Sequence, residues 1–328
     1  MSGVVNNHKV WVALVLAAIA ASVMVVVVAA GARPAHAAFR GSNGAIAFGK
    51  NDQIYRMSPD GFGQTQLPLS GPLAGSNSEP TWSSDGKKIA FTNSTNNGDV
   101  YWMSSDGSGT PKNLTNNSAS DGTPSFFPDS LPGNHKIAFA SDRGSSGTGL
   151  DIYVMTVDDN GDLIGQLTRM TTAGGEQPAV SPNGKKIAFT REVNGNWDIY
   201  VINASSPESS TNKAVRLTKS SALDRKPDWS PSGKQIAFMS SRSAGQYDIF
   251  VMKSVPESRT NRPKDLTSYP GLDSEPAWSP DGTKIAFMSD RATGLLNIFT
   301  MHADGTHQTD ITNSSGGIID YPSWQPNP

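Results

Sequence analysis

The chain has 328 residues, 36% hydrophobic and 17% charged, with 32 glycines and 22 prolines. That suits one large domain of many short strands bounded by turns. A net charge of −2 at pH 7 gives no basic excess to neutralise phosphates, which argues against DNA or RNA as a partner. The absence of cysteine excludes thiolate metal sites, cysteine nucleophiles, disulfides and a lipid-modified N-terminal cysteine.

The first element is a leader. Lys9 precedes an apolar run from Val10 to Ala30, and Ala35-His36-Ala37 ends it. A positive start, an apolar centre and an Ala-x-Ala end describe a secretory signal peptide covering residues 1–37 and cut after Ala37. The run is also long enough to span a bilayer, so an uncleaved anchor is the alternative, and the only route to a membrane association. On either reading residues 38–328 are expected outside the cytoplasm, in the periplasm or beyond the cell.

From there the chain repeats itself. Ile-Ala-Phe recurs at Ile46, Ile89, Ile137, Ile187, Ile236 and Ile285, a period of roughly 43 to 50 residues that signals an array of supersecondary units. Each unit carries the same signals in order: Pro-x-Trp-Ser-Pro (as at Pro276 to Pro280), Lys-Ile-Ala-Phe, Asp-Ile-Tyr-Val-Met (as at Asp151 to Met155), then Leu-Thr (as at Leu217-Thr218). Four short apolar runs divided by turn residues predict a four-stranded antiparallel sheet, one blade of a propeller. With strands a to d numbered from the channel outward, Trp82, Trp229, Trp278 and Trp324 fall on strand a. They are expected to fill the space left by the strand-b alanine of a neighbouring blade. Blades three and four break the pattern, with Phe126-Phe127-Pro128 and Val180 at the Trp position.

The first Ile-Ala-Phe has no strand a before it, and Pro322-Ser323-Trp324-Gln325-Pro326 has no strand b after it. The expectation is an all-β, six-bladed β-propeller whose C-terminal strand completes blade one and removes the open edge. A monomer is expected.

The repeat Pro-x-Trp-Ser-Pro-Asp-Gly-x-x-Ile-Ala-Phe-x-Ser-Asp-Arg, with Asp-Ile-Tyr-Val-Met and Leu-Thr behind it, resembles the WD40-like propeller repeat of the TolB family over nearly all of residues 40–328. The resemblance implies the fold but not one activity, because similar blades occur in prolyl oligopeptidase-like peptidases and some polysaccharide lyases. TolB itself has an α/β domain ahead of its propeller, and no such domain is expected between residue 37 and the repeats. A Gly-x-Ser-x-Gly elbow is missing, and Gly144-Ser145-Ser146-Gly147 lacks its spacing. The lyases use histidines on a metal, whereas only His135, His302 and His307 follow the leader. His302 and His307 are expected on the surface.

Two recurring positions carry candidate chemistry. Acids stand just before the strand-a proline: Glu79, Asp121, Glu176, Asp224, Asp273 with Glu275, and Asp320. Arginines stand in the b–c loops: Arg143, Arg191, Arg242 and Arg291. Both sets are expected on one face, around the channel mouth. They either bind a peptide or cation there, or act structurally as backbone caps and as Arg–carboxylate bridges between blades. The Asp158-Asp159-Asn160-Gly161-Asp162 run has a passing likeness to a calcium loop but lacks its later Gly and Glu. No catalytic residue, metal or cofactor is assigned. The expected function is non-enzymatic binding of a protein, peptide or cell-envelope component at the mouth. The alternative is an enzyme on a polysaccharide or peptide using mouth carboxylates as acid and base.

Overall fold

The computed structural model describes residues 39–327 apart from 70–72, 74, 96, 129–132, 145–148, 244–245, 293 and 314–318. The leader assigned to residues 1–37 lies outside them. The described residues form six four-stranded antiparallel sheets. Strand a is Asn77–Trp82, Asp121–Phe126, Glu176–Val180, Asp224–Trp229 and Asp273–Trp278 in blades two to six. In blade one it is the C-terminal Ile319–Asn327, hydrogen-bonded to strand b, Ser42–Lys50. The ring is thus closed by its last strand, as the repeat frame implied. Successive a strands touch one another around the circle and line the centre.

The repeat signals have distinct local causes. In blade six the a–b turn is closed by Gly282 N–H donating to the Ser279 carbonyl at 2.9 Å. Ser279 Oγ donates to Asp281 at 2.7 Å and accepts from Lys284 N–H at 2.9 Å. Gly282 has φ +73°, the left-handed position that glycine reaches without a Cβ clash.

Six apolar clusters occupy the six blade interfaces. In five of them, the Ala of Ile-Ala-Phe receives a large side chain from strand a of the following blade. Trp229 lies with Ala188, Trp278 with Ala237, Trp324 with Ala286, and Trp82 with Ala47. Burying an aromatic of 150–250 Å² is worth about 4–6 kcal/mol at 25 cal/mol per Å². Three of these four indole N–H groups are satisfied across the same interfaces: Trp82, Trp229 and Trp324 donate Nε1–H to the carbonyls of Ser323, Ala179 and Ala277, while the buried Trp278 Nε1–H has no acceptor among the described residues.

The two irregular blades compensate for each other. Val180 is too small to fill the gap over Ala138, and Phe127 of blade three packs into that cluster beside it. Phe126 covers Ala90 in the position a Trp holds elsewhere.

Candidate functional site

Strand a of every blade carries a β-bulge beside its proline. In blades five and six the register slips between Arg225 and Asp228 and between Ser274 and Ala277. The bulge sorts the seven sequence-marked acids into three positions rather than one ring. Asp121, Asp224 and Asp273 lie three residues before the proline, Glu176 and Asp320 two before it, and Glu79 and Glu275 immediately before it. Because side chains alternate along a strand, a difference of one residue changes what a side chain faces.

The first group is buried and paired inside its own blade. Asp224 accepts from Ser240 Oγ, at the end of strand b, and from Arg242 Nη2 at 2.7 Å. Arg143 pairs with Asp121 at 2.6 Å, and Arg291 pairs with Asp273. Each guanidinium lies over the strand-b Phe and the strand-c aromatic of its blade, as Arg242 does over Phe238 and Phe250 at 5.7 and 5.9 Å. Arg191 has a glycine, Gly175, at the equivalent strand-a position, and pairs bidentately with Glu208 at 3.0 and 2.8 Å.

The link between blades comes from carboxylates that the repeat pattern did not mark. Glu208 and Glu257 sit in the long c–d loops of blades four and five. Glu208 accepts from Thr172 N–H of the preceding blade at 3.1 Å, and Glu257 from Lys219 N–H at 3.0 Å while also pairing with Arg242. Burial works against their charge, yet Arg191 and Arg242 with these N–H groups hold both carboxyls below the usual range. A signal was present: Pro207-Glu208-Ser209 and Pro256-Glu257-Ser258 repeat, but outside the blade signature.

The residue before each strand-a proline forms the inner ring: Glu79, Thr123, Gln177, Lys226, Glu275 and Tyr321. All six have positive φ, between 51° and 63°. That conformation is uncommon for residues with a Cβ and disfavoured before proline. It costs of order 1–3 kcal/mol per residue and persists only where surroundings enforce it. Here the enforcement runs from blade to blade. Thr123 N–H donates to Glu79 Oε2 at 3.1 Å, and Lys226 N–H donates to Gln177 Oε1 at 3.1 Å. Thr92 and Thr190 hydroxyls steady the same two acceptors at 2.6 Å. Lys226 Nζ then reaches Glu275 of the next blade at 2.8 Å and lies 4.7 Å from the centre of the Tyr321 ring.

One step nearer the mouth stand Glu176, Arg225 and Asp320. Arg225 stacks on Trp197 at 3.8 Å. Burial pushes the Glu176 carboxyl up to about 7, against the pull of Arg225 and Lys226. Gly49 leaves the room Asp320 needs, since a Cβ there would fall 1.8 Å from Asp320 Oδ1. The remaining sequence candidates lie away from this face. In the calcium-like loop Asp158 Oδ1 accepts from Asn160 and Asp162 N–H at 2.9 Å, while Asp162 pairs with Lys112 and Asp159 with His135. His302 and His307 are exposed on their turn, with ring centres 4.3 Å apart. Among the described residues no group of three His, Asp or Glu is placed to hold a metal ion.

Comparison with known proteins agrees with this architecture. The family model described as TolB beta propeller domain matches residues 163–262. TolB from Acinetobacter baumannii superposes with a TM-score of 0.65 at 24% identity, covering 86% of this chain and 67% of that one. A putative TolB from Agrobacterium tumefaciens gives 0.61 at 20% identity, covering 87% and 99%. Hydrazine synthase of Kuenenia stuttgartiensis gives 0.67 at only 12% identity, covering 88% of this chain and 48% of that one. No curated protein matches the sequence. At these identities the likeness is one of fold, shared by proteins of different function. The chain is a six-bladed β-propeller, and its residues 163–262 match the TolB beta propeller domain.

Proposed function

We propose that the chain is an exported, non-enzymatic module that grips a protein or peptide partner of the cell envelope at the mouth of its channel. The observation that supports this most is a contrast among the blades. The proline and its strained neighbour recur in all six strands, whereas that neighbour is Glu79, Thr123, Gln177, Lys226, Glu275 or Tyr321. Residues required by the blade repeat with the blade, as the Asp–Arg pairs do in blades three, five and six. A position whose backbone is invariant and whose side chain changes sets a different group on the channel wall of each blade, buried in the chain alone at Glu79, Thr123, Gln177, Lys226 and Tyr321, the raw material of specificity. Glu79, Glu176, Glu275 and Asp320 outnumber Arg225 and Lys226 around that surface, which favours a partner segment carrying basic groups.

Export rests on the leader at residues 1–37, and N-terminal sequencing of protein from its own host tests it: the chain should begin at Ala38. Binding is tested by capture from an envelope extract, using wild type beside the double variant Lys226→Met, Glu275→Gln. Removing both members avoids stranding a buried charge. The captured partner should be lost with the double variant; retention at wild-type level would remove the channel from the site.

A further inference from the structure

A second concave feature opens beside the mouth, between blades three and four. It is a cleft of about 370 Å³ lined by Gly149 and Leu150 of one b–c loop, Thr172 to Gly174 of the connecting segment, and Glu176, Glu192 and Trp197 of the next blade. Its acidic groups differ in what they hold. Asp151 is engaged by Arg169 and by Thr171 Oγ1. Glu192 is exposed, and its Oε1 accepts from Gly195 N–H at 3.0 Å. Glu176 Oε2 is buried and has no hydrogen-bond partner among the described residues. A buried acceptor left unmade is costly, and is explained when something absent from the structure supplies the donor.

The walls narrow what that donor is. Arg225 already covers Trp197 and lies near Glu176 without forming an ion pair to it, so the guanidinium position is filled. Glu176 and Glu192 repel each other across the cleft, and two carboxylates without histidine are a poor metal set. A compact, multiply donating cation resolves both the orphaned oxygen and the repulsion. We propose that this cleft binds the primary ammonium group of a peptide, with Glu176 as the principal acceptor and Glu192 as the second. Two sources share that chemistry, a lysine side chain and a free N-terminus. The inference does not require the channel reading, since the inner ring contributes none of the lining residues.

Binding should follow the ionisation of Glu176. The charged groups facing it are Arg225 and Lys226, which favour its anion, and Glu192, which opposes it; Asp151 and Arg169 neutralise each other on the far wall. An ammonium requires the anion, so affinity should be high above pH 7 and fall as the carboxyl takes up its proton.

The test is calorimetric titration of the full chain at pH 8.0 and pH 5.5 with three probes: acetyl-Gly-Lys-Gly-amide, free-amine Gly-Gly-Gly-amide, and the first peptide with its lysine acetylated. At least one amine probe should bind at pH 8.0, roughly tenfold or more weaker at pH 5.5, and the acetylated probe should not. Whichever amine arm gives heat identifies the source. Glu176→Gln should abolish binding and its pH dependence. Glu192→Gln, on an exposed residue that does not threaten the fold, should weaken it several-fold. Equal binding of the acetylated probe, no amine binding at millimolar concentration, or wild-type affinity in both variants would overturn the proposal. The double variant Lys226→Met, Glu275→Gln takes away Lys226's support for the Glu176 anion, so it should move this binding to higher pH without abolishing it, whereas the channel reading requires loss of the captured partner; the two failures are separable.

Discussion

Deleting residues 319–328 removes strand a of blade one, and the consequence can be worked from the structure. The deletion takes away Ile319, Tyr321 and Trp324, all buried, and with Ile319 and Trp324 the cover over Ala286 and Ile298 of blade six. Two aromatics at about 4–6 kcal/mol each and one isoleucine at about 1.5–3 sum to about 10–15 kcal/mol of lost burial. The Trp82 indole also loses its acceptor, the Ser323 carbonyl. A typical domain has only about 5–15 kcal/mol of net stability. The truncated chain should therefore show no cooperative transition in calorimetry, should bind a hydrophobic dye, and should aggregate through the bared edge of strand b. Trp324→Ala is the graded version: about 3–5 kcal/mol, or a Tm roughly 6–15 °C lower. A truncated protein that melts cooperatively near the wild-type temperature would refute closure by the C-terminal strand.

Other expectations concern buried charge. Arg242→Met strands Asp224 and Glu257, and should cost about 3–5 kcal/mol in urea unfolding, as breaking a buried pair does. The added change Asp224→Asn should recover part of that loss; strict additivity of the two changes would show that the pair is uncoupled. Asp228 is buried with its carboxyl pushed well above the usual range by desolvation, although Trp278 N–H donates to it at 2.6 Å. Its folded form holds a proton that the unfolded chain has released. Its favourable contribution is therefore full below the unfolded pKa and lost as pH rises toward the folded one. Asp228→Asn should accordingly raise stability at pH 8 and change it little at pH 4. Thermal melts at the two pH values check the sign.

Much of the architecture is legible in the residues because the blade is read six times. Ile-Ala-Phe, the turn Gly282 and its counterparts, and the displaced Trp324 each have a local physical cause, and repetition separates cause from accident. The same repetition hides the inner ring. Thr123, Gln177, Lys226 and Tyr321 share no residue type, so the repeat does not mark their position. No residue type there signals a left-handed backbone either, since glycine is the usual sign and none of the six is glycine. The acids went astray for a related reason. Asp224 and Glu275 each precede a proline, but a two-residue difference across a bulge puts one in a buried ion pair with Arg242 and the other against Lys226. Glu208 and Glu257 come from loops outside the repeat frame, so their bridging role needed three dimensions.

The central claim is that partner binding resides in the inner ring while the Asp–Arg network serves the fold. The most direct measurement is partner affinity and melting temperature on two double variants, Lys226→Met with Glu275→Gln and Asp224→Asn with Arg242→Met. The channel variant should lose the partner and melt within a few degrees of wild type; the network variant should melt several degrees lower and, below its transition, bind as wild type does. Loss of binding in the network variant with full binding in the channel variant would contradict the account.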